Sequence, residues 1–146
     1  EEPVSSDDLP GLHLVRNHVS APMEVAAGEY GYTVSYFQHM LEAKSVDVLQ
    51  SDATRAQGIT GFLGADALCN AHQTALSAHC APSIHMHACC AAPRARHLEF
   101  FHDHARIERM FFDGFREPRD GRMHPDWSRP GFGLELKEQD ARKFLV

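Results

Sequence analysis

The sequence has no CxxC pair, no cluster of lysine and arginine, and no low-complexity stretch. It also has no apolar run approaching the roughly 18–20 residues that a bilayer span requires. Each absence removes a class of function. Without a positive patch there is no electrostatic footprint for a nucleic acid or an anionic membrane surface. The net charge of −6, from 14 Lys+Arg against 20 Asp+Glu, opposes both partners. The chain opens on Glu1-Glu2-Pro3, acidic and without an initiator Met, so no signal peptide is visible. That abrupt start reads as a cut from a longer chain. Cys69, Cys80, Cys89 and Cys90 read as reduced, buried thiols of a cytoplasmic protein, the last two standing adjacent among alanines.

What is present is an alternation of short apolar runs with amphipathic runs, in 146 residues of which 43% are hydrophobic. Ser5-Ser6-Asp7-Asp8 caps a helix running to about His18. Pro22 to Ala27 reads as a buried strand ending at Gly28-Glu29, and Thr33 or Ser35 opens a helix carrying Tyr36, Phe37, Met40 and Leu41. Val46–Gln50 is a β-branched strand closed by Ser51-Asp52. A helix from Ile59 to about His72, a strand at Ala75–Ala78, a helix at about Ser83–Ala92 and a strand at His97–Phe101 follow. The remainder, rich in Gly, Pro and charge, ends in a helix near Gln139–Phe144. Strands separated by helical runs of 10–15 residues imply a parallel sheet of βαβ units. Since a complete (β/α)₈ barrel takes about 250 residues, this length accommodates about half of one. The expectation is an α/β fold, a partial TIM-type barrel of the last four to five strand–helix units. Residues 1–115 then form the barrel half, and 116–146 a segment returning toward a capping region.

In such a barrel the active site is built at the C-terminal ends of the strands. Glu29, Asp52, His79 and Glu99 fall at those ends in succession, and Glu1 stands before Pro3 where a preceding strand would end. Singly, each has an ordinary explanation: a loop carboxylate, a helix cap, a packed histidine. Together they compose a coherent chemistry. Carboxylates from adjacent strands are hard donors suited to Mg²⁺. His79 with Asp52 has the logic of a general base oriented by a carboxylate. An acid on the last strand can hydrogen-bond a developing oxyanion. Abstraction of a proton α to a carboxylate needs all three.

The segments EEPV, AAGEYGYT, VDVLQSDATRAQGITGF, LSAHCAPSIHMH and RHLEFFHDH, with the tail GFGLELKEQDARKFLV, resemble in order the successive strand motifs and terminal segment of the mandelate racemase/muconate lactonizing enzyme group of the enolase superfamily. The resemblance implies that Glu1 and Glu29 are two of three carboxylate ligands of Mg²⁺. It implies that Asp52 and His79 are the catalytic dyad and that Glu99 is the acid hydrogen-bonding the enediolate. Glu2 is the competitor of Glu1, because alternation along a strand turns only one of the pair inward. The group's first metal ligand, an Asp one strand earlier, its Lys-x-Lys base and its N-terminal capping domain have no counterpart here. A fragment with those gaps is expected to bind Mg²⁺ weakly and to be inactive alone.

The remaining histidines divide between cavity lining and packing. His102, close after Glu99, is a candidate contact for a polar substrate. His102 and His104 would share a face of an extended segment, and with a carboxylate could make a separate transition-metal site. Arg55 could anchor a carboxylate or cap a helix. The favoured function is Mg²⁺-dependent dehydration of a small sugar acid, with racemisation or epimerisation of a 2-hydroxy acid as the alternative. The third reading is a non-catalytic fragment, whose open strand edges favour association. The full-length form is expected to be a homo-oligomer, with no nucleic-acid or membrane partner.

Overall fold

The computed structural model describes residues 1–145. Asp8 caps the first helix, α1 (Leu9–His18), by accepting from the Gly11 N–H at 2.9 Å, with Pro10 in the first turn where it costs no hydrogen bond. The chain then enters β1 (Ala26–Ala27) and alternates through α2 (Val34–Glu42), β2 (Val48–Ser51), α3 (Gly58–Ala71), β3 (Ala75–Ala78), α4 (Pro82–Cys90), β4 (Ala95–Leu98) and α5 (His102–Phe111). The Thr33 side chain caps α2, as its position before the apolar stripe implies.

The four strands pair in parallel in the order β1-β2-β3-β4, without reversal. Right-handed crossovers between strands that advance in one direction put the connecting helices α2, α3 and α4 on the same side of the sheet. The result is an arc of a barrel rather than a doubly wound sheet, whose strand order would turn back on itself. All four residues of β2 are buried, as a parallel strand covered on both faces should be. Phe37 and Met40 of α2, Phe62, Ala65 and Cys69 of α3, Leu49 of β2 and Leu76 of β3 belong to one core cluster between helices and sheet. Fully buried side chains of the size of Phe37 and Phe62 each contribute roughly 1.5–3 kcal/mol.

Two half-buried carboxylates stitch the layers where backbone groups would otherwise go unpaired. Asp47 accepts from the Val25 N–H at 2.9 Å and from Arg16 Nε of α1 at 2.6 Å. Glu108 of α5 reaches the first turn of α4, accepting from the Ser83 N–H at 3.2 Å and Ser83 Oγ at 2.5 Å. It supplies the cap that Ala81 cannot, with negative charge at a helix N-terminus.

The structure departs from the sequence reading at three elements. β1 is shorter than Pro22–Ala27, β4 lies at Ala95–Leu98 rather than His97–Phe101, and residues 102–111, to which the sequence reading assigns no element, are helical. After α5, β5 (Phe112–Asp113) pairs antiparallel with β6 (Glu135–Leu136), followed by α6 (Glu138–Ala141) and a 3₁₀ turn at Arg142–Phe144. This hairpin ties the terminal segment to residues just before 116; Val146 lies outside the described residues. Among the described residues no helix is long and apolar enough to cross a membrane.

Candidate active site

Glu29, Asp52, His79 and Glu99 each follow the C-terminal end of a successive strand, two residues after β1 and one residue after β2, β3 and β4. Parallel register converts that recurrence in sequence into proximity in space. At β1 the approach depends on Gly28. Its φ is +132°, and a Cβ there would stand 2.3 Å from the Gln50 carbonyl oxygen of the neighbouring strand. Only glycine lets β1 turn toward Glu29 that close to β2.

At the centre is a buried pair. His79 Nδ1 lies 2.9 Å from Asp52 Oδ2. The Asp52 Oδ1 atom accepts from the Thr54 N–H at 2.7 Å and from Thr54 Oγ1 at 2.8 Å. Burial alone would push the Asp52 carboxyl up, but the hydrogen bonds from His79 and Thr54 overcome it and hold the group down at about 2. The reciprocal effect falls on His79: its hydrogen bond to Asp52 outweighs burial, and with Glu29 close by it keeps the imidazolium form to higher pH than an ordinary histidine. Asp52 is therefore ionised at neutral pH, the Nδ1–H points at it, and Nε2 is left as the working nitrogen.

Acceptors and a thiol surround that nitrogen. Nε2 stands 3.2 Å from Cys80 Sγ, 3.3 Å from Glu29 Oε2 and 3.9 Å from Glu99 Oε2. Glu99 is anchored by the Cys80 N–H at 3.1 Å and the Cys80 thiol at 3.3 Å. Burial, then the Glu99 contact, pushes the Cys80 thiol up to about 12, so it is an S–H donor at neutral pH.

Behind the dyad sits a second histidine, one of those that the sequence divides between cavity lining and packing. His85 on α4 is fully buried. Its Nδ1 donates to the Cys80 carbonyl at 2.7 Å, and its Nε2 accepts from the Ala53 N–H at 2.9 Å. Burial pushes its pKa down, so it is neutral and holds both bonds at once. It thereby ties the loop carrying Asp52 to the loop carrying His79.

Two candidates, His102 and Glu1, are exposed in this structure. His102 begins α5 and its side chain is 86% exposed, its ring 3.4 Å from Asp103 rather than at the site. His104, two residues on and therefore on another face of that helix, brings its ring to 6.3 Å from that of His79. The helix also removes the shared face that would have let the two histidines hold one metal. Glu1 is exposed, whereas Glu2 is half-buried. The Glu2 N–H donates to the Ala26 carbonyl, its φ is +39°, and its Oε1 is buried without a partner. Burial and then the neighbouring Glu29 carboxylate raise the Glu2 pKa. Of the pair, Glu2 is the more buried carboxylate in this structure. Arg55, expected to anchor a carboxylate or cap a helix, has its guanidinium 3.4 Å from Glu29 Oε1, 3.1 Å from the Glu29 carbonyl and 3.7 Å from Asp52 Oδ2, with Tyr30 beneath it. Of the cysteines, Cys69 and Cys80 are buried, Cys89 is intermediate and Cys90 exposed; all four are free thiols.

A parallel barrel arc with a histidine–aspartate pair and flanking carboxylates at its strand ends defines an enzyme-type α/β barrel portion. Residues 1–141 match the family model described as enolase C-terminal domain-like, and the chain belongs to that family. It is 31% identical over 144 residues to L-talarate/galactarate dehydratase of Salmonella typhimurium, covering 97% of this chain and 34% of that protein. The structure resembles that of a mandelate racemase/muconate lactonizing enzyme-like protein from Rubrobacter xylanophilus, with a TM-score of 0.94 and 49% identity. The match takes in 99% of this chain and 40% of that one. It also resembles L-talarate dehydratase from Polaromonas sp. JS666 complexed with Mg and L-glucarate, with a TM-score of 0.84, 30% identity and coverage of 97% and 37%. The chain therefore spans little more than a third of the length of these relatives.

Proposed function

We propose that this chain supplies the C-terminal barrel portion of a Mg²⁺-dependent enzyme that dehydrates a sugar acid by abstracting the proton α to its carboxylate. The observation that carries the proposal is the 2.9 Å His79–Asp52 pair, with Nε2 facing Glu29 and Glu99 at adjoining strand ends.

The donor set fits the metal. The Glu29 carboxylate is near enough to raise the Glu2 pKa, and the buried Oε1 of Glu2 has no protein partner, an acceptor that a cation would satisfy. Both would hold Mg²⁺; Glu1, exposed beside them, is the alternative ligand that the motif resemblance favours. When bound, Mg²⁺ offsets the negative charge that develops on the substrate carboxylate.

The chain's own residues perform the proton chemistry. Asp52 fixes the His79 ring and its tautomer and stabilises its cationic form. Nε2 takes the α-proton as the C–H bond breaks, or delivers a proton to the departing β-hydroxyl so that it leaves as water. Glu99, oriented by Cys80, hydrogen-bonds the oxygen on which charge accumulates. Arg55 keeps the Glu29 carboxylate in place. His104 lines the approach to His79 and replaces His102 as the candidate contact for a polyhydroxylated substrate.

The alternative is racemisation or epimerisation of a 2-hydroxy acid, which shares the first step and returns the proton to the opposite face. A screen of the full-length protein that contains this chain against sugar acids, with and without Mg²⁺, decides between them. A 2-oxo-3-deoxy acid product supports dehydration, an inverted α-carbon supports the alternative, and failure to turn over any acid contradicts both.

We further propose that the segment from residue 116 onward returns toward a capping region, and that the whole protein is a cytoplasmic homo-oligomer. The free thiols support the cytoplasmic reading.

A further inference from the structure

Cys80 has no part in the proton chemistry beyond steadying Glu99, yet the backbone goes to some cost to place it. Its φ is +48°, and that of Ala81 is +38°. Two successive non-glycine residues in the left-handed region hold local strain that the surrounding structure must offset. The effect is to fold the Cys80 side chain back between His79 and Glu99.

The three functional atoms then stand at mutual distances of 3.2 Å (Nε2 to Sγ), 3.3 Å (Sγ to Glu99 Oε2) and 3.9 Å (Nε2 to Oε2). They form a group of one imidazole nitrogen, one sulfur and one carboxylate oxygen. Tetrahedral zinc, with bonds of about 2.0–2.3 Å to such atoms, separates its ligands by roughly 3.3–3.6 Å. Little movement would be needed to enclose a cation, and a fourth position would remain open toward Glu29 Oε2, 3.3 Å from the same imidazole nitrogen. The chemistry of this set differs from that of Glu2 and Glu29. Sulfur and imidazole select a borderline-soft ion, whereas two carboxylates suit a hard one.

We propose that His79, Cys80 and Glu99 form a second metal site, specific for a thiophilic divalent cation such as Zn²⁺ or Co²⁺, whose occupation blocks the His79 nitrogen that the reaction needs. On binding, the Cys80 S–H bond breaks, a sulfur–metal bond forms and the proton passes to solvent; His79 binds as neutral imidazole. The inhibitory consequence rests on the reading of His79 as the general base; the binding does not.

The test is Co²⁺ titration of the native protein, of Cys80→Ser and of Glu29→Gln, followed by absorbance. One equivalent of Co²⁺ should give a thiolate-to-cobalt charge-transfer band and intense tetrahedral ligand-field bands in the native protein and in Glu29→Gln. Both should be lost in Cys80→Ser. Absence of the charge-transfer band from the native protein, or its persistence in Cys80→Ser, would overturn the site. Should Cys80→Ser fail to fold, X-ray absorption of the native protein loaded with Zn²⁺ carries the same decision. One sulfur neighbour at about 2.3 Å is required, and a shell of nitrogen and oxygen alone refutes the proposal. Addition of Zn²⁺ to the Mg²⁺-loaded enzyme should abolish turnover. Full activity with the cobalt band present would leave the site standing and overturn the role given to His79.

Discussion

Replacing Asp52 by Asn keeps the shape of the dyad and removes its charge, so the effects on rate, pH profile and stability can be worked out separately. In the native site Asp52 is ionised down to about pH 2 and accepts the Nδ1–H of His79. An Asn side chain can meet that nitrogen with its NH₂ group, turning the ring to the tautomer with the proton on Nε2, where the reaction needs a lone pair. General-base catalysis is worth about 10²–10⁴-fold, and kcat should fall by that factor. The first cause of the raised His79 pKa is the Asp52 hydrogen bond, so the acidic limb of the profile should move to lower pH in the variant. Stability follows from the same shifts. For Asp52, the fall from an ordinary 3.8 to about 2 corresponds to about 2 kcal/mol, present above the unfolded pKa and lost as pH falls through about 2. For His79 the sign is opposite: its contribution is complete below the ordinary 6.5 and is lost as pH rises through the raised value. The native protein should therefore exceed Asp52→Asn in stability most between those limits, read as the difference in urea midpoints across pH. A difference constant with pH, together with an unmoved acidic limb, would refute the coupling of these two residues.

Glu2→Gln should weaken Mg²⁺ binding by at least about 10–100-fold, the cost of losing even an outer-shell partner, while Glu1→Gln changes it little. Isothermal titration of the two variants decides which carboxylate faces the metal. Gly28→Ala should lower stability by about 1–3 kcal/mol from backbone strain alone, with the clash against the Gln50 carbonyl adding to it, measured by chemical denaturation. His85→Ala strands the Ala53 N–H and the Cys80 carbonyl, at about 1–3 kcal/mol each. Because burial depresses the His85 pKa, the native protein also loses stability as pH falls below 6.5, a component that should be missing from the thermal unfolding of His85→Ala.

The sequence was informative where burial is two-sided and local. β3 was expected and found at Ala75–Ala78, and α2 begins at one of the two caps proposed for it. The strand-end positions of Glu29, Asp52 and His79 followed from the same alternation, whereas Glu99 stands at its strand end because β4 stops at Leu98. It was uninformative where the pattern is thin. α5 is polar on average and buries only Ala105, although its few apolar residues do share a face. β4 carries exposed Arg96 and His97 at the sheet edge, and the neighbouring Phe100 and Phe101, themselves 36% and 45% exposed, drew the strand toward them. The identity of the more buried carboxylate in Glu1-Glu2 depends on a left-handed φ, and that of His85 on a contact between two loops. Neither is written in spacing.

The central claim is that His79 removes a proton α to a carboxylate. Incubating the native protein with Mg²⁺ and a sugar acid in deuterium oxide, and following the α-position by mass spectrometry, tests it directly. Deuterium should enter the α-position or the elimination product in the native protein, and its incorporation should fall by about 10²–10⁴-fold in His79→Gln. Incorporation at the native rate in His79→Gln would contradict the account.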